Sequence, residues 1–163
     1  TAYFAEKDLA IFTINSERYC FNERGEMQTG LQSLKQADGS FASYYFGDDG
    51  VMRTGKQTIY NDDLEENQIW YFQTKGSLKG QGYHGERDNQ VYVNGLLKKA
   101  DPELRYEPVS IGEKRYLVNT SGTIQKATSS SSSASRPELG KGFKDIKDSN
   151  DTAWTVDTSG IIQ

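Results

Sequence analysis

The chain has 163 residues, a formal net charge of -4 and a pI near 5.1, a balance that argues against nucleic acid or an anionic membrane surface as a partner. Hydrophobic residues make up 34% and mean hydropathy is -0.77, lean for one globular core. No apolar run approaches the roughly 20 residues of a membrane span, so membrane insertion is not expected.

In chain order, Tyr3 to Ile14 (YFAEKDLAIFTI) reads as a frayed first unit without a turn glycine, and the start in mid-pattern at Thr1, with no signal peptide, reads as a fragment of something longer. From Glu17 a repeated word begins: Tyr19-Cys20-Phe21, a polar turn closed by Gly25, then Met27 and Gly30. An alternating stretch from Leu31 to Gln36 and a polar turn over Ala37 to Ser40 lead to the second copy, with Tyr44-Tyr45-Phe46, Gly50, Met52 and Gly55. Aromatics favour a pleated surface and glycine tolerates positive φ, so each copy is expected to be a β-hairpin followed by a further strand. The acidic link Asn61 to Asn67 reads as a solvated loop and fits no twelve-residue calcium loop. The third copy has Trp70-Tyr71-Phe72, Gly76, Leu78 and Gly80, and weaker copies surround Gly95, Gly122 and Gly160. The Asn94-Gly95 pair is the strongest short hairpin signal. Hairpins are also expected across Gly112-Glu113-Lys114 and Asp148 to Asp151, with a polar link over Asp101 to Pro108. The serine tract Thr128 to Pro137 is expected to be flexible or protruding, since it can bury almost nothing. The expected division is a repeat array over 1–127 (its first unit at 1–14), a serine-rich loop or linker over 128–137, and a final hairpin of the same array over 138–163.

Comparing the copies separates core from surface. Six and four residues before the turn glycine stand Tyr19 and Phe21, Tyr44 and Phe46, Trp70 and Phe72, Tyr116 and Val118, Trp154 and Val156. Side chains alternate with period two, so these share one strand face, and that face is read as the inner one. The residue between them (Cys20, Tyr45, Tyr71, Leu117 or Thr155) varies and is read as partly exposed or packed on a neighbouring unit. The residue two after the glycine (Met27, Met52, Leu78, Leu97, Ile124 or Ile162) is read as core. No unit carries enough apolar area to fold alone, so the fold class is all-β, a solenoid of stacked β-hairpin repeats.

The words YCFNERGEMQTG and YYFGDDGVMRTG resemble the cell-wall-binding repeat of Gram-positive surface proteins, the superfamily of choline-binding modules, glucan-binding domains of glucosyltransferases and C-terminal repeats of clostridial toxins. The resemblance runs from about Glu17 to Gln163. It implies a solenoid of β-hairpins outside the cell, at the cell surface, binding cell-wall polysaccharide, teichoic acid with its choline, or another glycan, with no catalytic residues and no cofactor. In choline-binding members a tryptophan directly follows the Thr-Gly and forms one wall of an aromatic box for a quaternary ammonium. Here Leu31, Lys56 and Gln81 stand there, and an amine at Lys56 repels a cation, so a working choline box is not expected.

The rings left for ligand binding are Tyr45, Tyr71, Tyr60, Tyr83 and the edge of Trp70; sugars stack their C–H faces on such rings while Asp, Asn and Gln bond the hydroxyls. The plainer reading of these tyrosines is that they close gaps between hairpins. Cys20, without a partner or metal-ligand spacing, reads as a small hydrophobe. His84, on a glycine-rich loop, has no catalytic partner at interpretable spacing. The function expected is a non-catalytic module attaching a larger surface protein to the bacterial envelope or to carbohydrate; the alternative is a spacer or protein-interaction stalk with lost ligand sites. Unpaired strand edges at terminal hairpins leave end-to-end self-association open.

Overall fold

A computed structural model describes residues 9–163, so all of the expected first unit before Leu9 lies outside the described residues. Among the described residues the protein is all-β apart from one turn of 3-10 helix over Pro137–Leu139, and the chain divides into two compact units. The first comprises Thr1–Tyr83 with Asn94–Leu96, the second His84–Val93 with Leu97–Gln163.

In the first unit β1 (Ala10–Ile14), β2 (Glu17–Phe21) and β3 (Met27–Gln28) form one antiparallel sheet, and β4 (Gly30–Lys35), β5 (Phe41–Phe46) and β6 (Met52–Arg53) form another. The first hairpin needs no glycine, because Asn15 and Ser16 themselves take positive φ of 51 and 68 degrees, as a two-residue type I′ turn demands. The hairpin β7 (Gly55–Asn61) and β8 (Glu66–Phe72) pairs in register from Gly55 with Phe72 to Asn61 with Glu66, and Leu96 pairs with Trp70. The second unit holds β9 (Gly85–Arg87) with β10 (Gln90–Val93), then, past the two-residue β11 (Leu96–Leu97), the hairpins β12 (Tyr106–Ile111) with β13 (Lys114–Asn119) and β14 (Phe143–Lys147) with β15 (Ala153–Asp157). The stretch read as a polar link from Asp101 therefore becomes strand at Tyr106, and Pro108 fits there because a two-stranded ribbon leaves its missing N–H on an edge.

The turn after each aromatic word follows one hydrogen-bond scheme. The residue opening it donates its N–H to the carbonyl four residues on and accepts from the glycine N–H three residues on, as in Asn22, Gly47, Asn119 and Asp157. The side-chain oxygens of Asn22, Asn119 and Asp157 also accept the backbone N–H groups two and four residues later at 2.8 to 3.0 Å. Gly47 has no such side chain; the Arg53 guanidinium lies over it instead, bonding the Val51 carbonyl and Asp49 Oδ1, each at 3.0 Å.

In the third copy the residue playing the glycine's part is Gly80, not Gly76: the Gln73 N–H reaches the Gln81 carbonyl and the Gly80 N–H returns to Gln73. Four extra residues bulge out of that turn, and Leu78, read as core, is 47% exposed on the bulge. Gly82 therefore stands where the other copies carry Met, Leu or Ile, paired with Phe72 as Met27 is with Phe21 and Met52 with Phe46.

Successive copies join through their glycines. A Cβ on Gly50 would lie 2.2 Å from Met27 Sδ, on Gly80 2.4 Å from Met52 Sδ, on Gly95 2.9 Å from Gly82 Cα, on Gly122 3.1 Å from Leu97 Cδ1, and on Gly160 2.2 Å from Ile124 Cγ2. In every case the residue two after one turn glycine sits over the turn glycine of the next copy. A glycine is required twice over at Gly160, where φ is 87 degrees and a fully buried Ile124 occupies the space of a side chain. Met27 fills such a seat while 45% of it stays in water, so the reading of this position as core holds for Met52, Leu97 and Ile124 and fails for Met27.

For three of the residues between the inner pair, the structure decides for packing on a neighbour over partial exposure. Cys20 and Leu117 are fully buried and Thr155 is 6% exposed. Within the first unit Cys20 belongs to one cluster with Leu34, Tyr44, Phe46 and Met52; within the second, Leu117 joins Ile146 and Val156. A strand between two neighbours has both faces covered, so both parities of residue are buried, one toward the copy before and one toward the copy after. The serine tract is likewise less bare than its composition implies. Ser133 is 3% exposed, and its hydroxyl, the Ser135 hydroxyl and N–H, and the Thr155 hydroxyl all donate to Asp145.

Candidate functional site

The structure sorts the candidate rings by what they touch. Phe72, fully buried, has Tyr45 stacked on it at a centroid distance of 6.1 Å and Trp70 at 6.0 Å. These near-parallel contacts, at 17 and 3 degrees, mean that Tyr45 and Trp70 serve the joint between the second and third copies. The Trp70 indole is further confined by Gly95, whose missing Cβ would lie 3.0 Å from Cε3.

Tyr71 points the other way, since it follows Trp70 on a strand. It meets Tyr83 edge to face, with centroids 6.0 Å apart at 86 degrees, and the Tyr83 N–H donates to the Tyr71 carbonyl at 2.9 Å. Register puts Lys56 opposite Tyr71, Thr58 opposite Ile69 and Tyr60 opposite Asn67. Residues directly opposite in an antiparallel pair share a face, so these six form one strip on β7–β8. Lys56, Thr58, Tyr60 and Asn67 are exposed, Ile69 and Tyr71 half-buried, and the 56% exposure of Tyr60 makes it the barest of the candidate rings. Two ring faces about 13 Å apart along the strand, at the rise of about 3.3 Å per residue, flank hydrogen-bonding side chains between them.

The sequence did not single out Lys56, Thr58 and Asn67 as neighbours of the tyrosines. The exposed, intermediate, exposed alternation of β7 was the available signal, but it acquires meaning only with the partner strand's register. Register also places the residues that follow Gly30 and Gly55. Leu31 lies opposite Tyr45 and Lys56 opposite Tyr71, so each stands beside a tyrosine. Gln81 is engaged elsewhere, donating to Gln36 Oε1 at 3.1 Å.

Other chemistry-bearing groups are held by local structure. Burial pushes the Cys20 thiol up to about 11, so it is a protonated, inert filler of the first core. Asp145 is pushed up by burial, but its bonds from Ser133, Ser135 and Thr155 more than offset this and hold it well below the usual carboxylate range. A polar hollow of about 240 Å³ is lined by Asn22, Glu23, Arg24 and Glu26, residues of one turn in which the Asn22 side chain already bonds Arg24 and Glu26. Among the described residues no cluster of His, Cys, Asp and Glu could hold a metal ion, and no helix is long and apolar enough to cross a membrane.

No family model and no curated protein matches the chain. Among solved structures it is similar to alternansucrase in complex with isomaltononaose, at 16% identity and a TM-score of 0.46 over 96% of this chain and 10% of that one. It is also similar to CbpJ from Streptococcus pneumoniae TIGR4 (16% identity, TM-score 0.39, 99% of this chain and 54% of that one). A third is choline binding protein F from Streptococcus pneumoniae, at 17% identity and a TM-score of 0.38 over 96% of this chain and 47% of that one. The chain thus spans about a tenth of the first and about half of the other two.

Proposed function

We propose that this chain is a non-catalytic, extracellular repeat module, a solenoid of stacked hairpins that holds a larger surface protein to the bacterial envelope or to other carbohydrate, and that the β7–β8 strip is its glycan platform. The observation that carries this reading is the pairing of Tyr60 with Asn67 and of Tyr71 with Lys56 on one outward face, with Tyr83 set edge-on against Tyr71. A pyranose presents an apolar C–H face and a rim of hydroxyls. Tyrosine rings take the face, and Thr58, Asn67 and Lys56 are of the kinds that bond the rim. Lys56 beside Tyr71 puts a cation where a quaternary ammonium would bind, so the reading favours sugar over choline, in cell-wall polysaccharide, teichoic acid or α-glucan. The resemblance of the second copy's sequence to cell-wall-binding repeats supports the extracellular setting.

The test is retention of the purified chain on isolated Gram-positive cell walls and on dextran beads, with Tyr60→Ala plus Tyr71→Ala as the variant and circular dichroism as the check on folding. Binding that falls at least tenfold in the folded double variant, and that millimolar choline does not elute, supports the platform. Undiminished retention of the double variant sinks it, and no retention of the unaltered chain on either matrix leaves the spacer or stalk as the better reading.

A further inference from the structure

One joint of the second unit carries two arginines that have no acid. On the face that β12–β13 turns to β14–β15, Leu117 enters the buried cluster with Ile146 and Val156, and the half-buried rings of Tyr106 and Trp154 pack against that cluster. The Arg105 guanidinium lies over the Tyr106 ring and the Arg115 guanidinium over the Trp154 ring, each with its carbon 5.6 Å from the centroid. Other arginines meet carboxylates: Arg53 with Asp49, Arg87 with Asp88 and Arg136 with Glu138. Arg105 and Arg115 are exposed, and neither pairs with a carboxylate among the described residues. Asp148 is spent on its own turn: it accepts the Trp154 Nε1–H at 3.1 Å and the N–H groups of Asn150 and Thr152 at 2.8 and 3.0 Å, which fixes the indole under Arg115. The Ser149 N–H donates to the Leu104 carbonyl at 3.0 Å and ties the same turn to the residue before Arg105.

A ring face holds a guanidinium flat and leaves the N–H groups of its edge free, a planar fork preorganised for the paired oxygens of a carboxylate or phosphate. We infer that this joint is an anion-binding site, and that its ligand is a glycan carrying phosphodiester or carboxylate groups. Spacing favours an extended ligand over a single small ion. Tyr106 lies opposite Asn119, four residues along β13 from Arg115, which at about 3.3 Å per residue sets the two ring–arginine pairs about 13 Å apart along the ribbon. Ser110, exposed and directly opposite Arg115 on the same face, adds a hydroxyl between them. Charge points to sparse anions rather than dense ones. The acidic excess of the chain lies wholly in the first unit, with twelve acidic against eight basic residues, while the second unit has eleven of each. A neutral unit does not repel an anion, nor does it gather a densely charged polymer such as nucleic acid by its overall field. Two separate forks suit charges spaced along a sugar or polyol backbone. The face shares no residue with the β7–β8 strip and both of its walls belong to the second unit, so the inference stands whether or not that strip binds sugar.

Isothermal titration calorimetry of the full chain with three probes reads the effect directly: lipid-free poly(glycerol phosphate), oligogalacturonate and single-stranded oligothymidylate. At least one of the first two is expected to bind at low salt and to weaken steeply as salt rises to about 0.5 M; which of them binds tells phosphate from carboxylate. Arg105→Gln and Arg115→Gln sit on exposed side chains, so both should fold, as circular dichroism would verify, and each is expected to lower the affinity at least about tenfold through its lost charge-assisted bonds. Arg115→Lys keeps the charge but not the planar fork, and is expected to lose nearly as much. Binding of neither anionic glycan by the unaltered chain, undiminished binding by the two glutamine variants, or full affinity in Arg115→Lys would each overturn the inference. Oligothymidylate bound more tightly than both glycans would overturn the ligand class.

Discussion

The two units build the same joint from different materials. In the first unit rings and thioethers fill it: Tyr45, Trp70 and Phe72 stack, and Met27 and Met52 lie over glycines. In the second unit branched aliphatics do so, with Val91, Val109, Val118 and Ile124 in one cluster and Leu117, Ile146 and Val156 in another. The difference teaches that stacking requires a glycine seat but not an aromatic filling, and over Gly95 the covering residue is itself a glycine, Gly82. Tyr60, 56% exposed on the outer face of β7–β8 and part of none of these joints, therefore calls for a reason other than stacking. The proposed sugar binding supplies one.

The comparison breaks first at the joints themselves. Phe72→Ala removes a fully buried ring and both of its stacking partners' contacts, and is expected to destabilise the protein by about 3 to 5 kcal/mol in urea unfolding. Leu117→Ala, equally buried in the second unit, is expected to cost about 2 to 5 kcal/mol. Equal effects of size-conserving changes would erase the contrast between units. Phe72→Leu should cost about 1 kcal/mol more than Leu117→Met, because only the former loses ring stacking. Gly160→Ala sets a methyl group against buried Ile124 at a φ of 87 degrees, and is expected to cost about 3 kcal/mol, the sum of strain and overpacking.

Much of this joint was legible in the residues. Glycine, then an apolar residue two places on, marked the seat and the plug, and aromatic words marked the strands, because local propensity and turn chemistry agree there. What was not legible needed partners. Gly76 and Gly80 compete for the third turn within one word, and only the hydrogen bonds of Gln73 choose Gly80. The burial of Cys20 and Thr155 depends on a neighbour covering the second strand face, which no single hairpin reveals. Of the candidate rings, sequence could not divide Tyr45 and Trp70, spent on Phe72, from Tyr60 and Tyr71, because that division lies in parity and register with a partner strand.

The second unit also contains a polar clip without counterpart among the described residues of the first, and pH sharpens the contrast there. Asp145 accepts from Ser133, Ser135 and Thr155 and is held below the usual carboxylate range although burial alone would raise it. A group lowered on folding contributes stability that is fully present above its unfolded value, near 4, and lost as pH falls below that value toward the folded one. Asp145→Asn is expected to cost about 2 kcal/mol at pH 7 through the loss of charge-assisted bonds. Its deficit against the unaltered protein should shrink steadily as melts are repeated from pH 5 down to pH 2. Parallel curves across that range would mean that the clip holds the serine tract by shape alone.

The smallest effects distinguish a filled seat from an empty one. Gly50 and Gly25 have nearly equal φ, 82 and 77 degrees, so alanine meets the same backbone strain of about 1 kcal/mol at each. They differ only in what lies above. At Gly50 the new methyl group would fall 2.2 Å from Met27 Sδ, whereas at Gly25 it meets open space among the described residues. Met27 is unbranched and 45% exposed, so it can swing aside, which limits the extra cost at Gly50 to about 0.5 to 1 kcal/mol. Thermal melts of Gly25→Ala and Gly50→Ala at dilute protein should therefore differ by that small amount, with Gly25→Ala the milder.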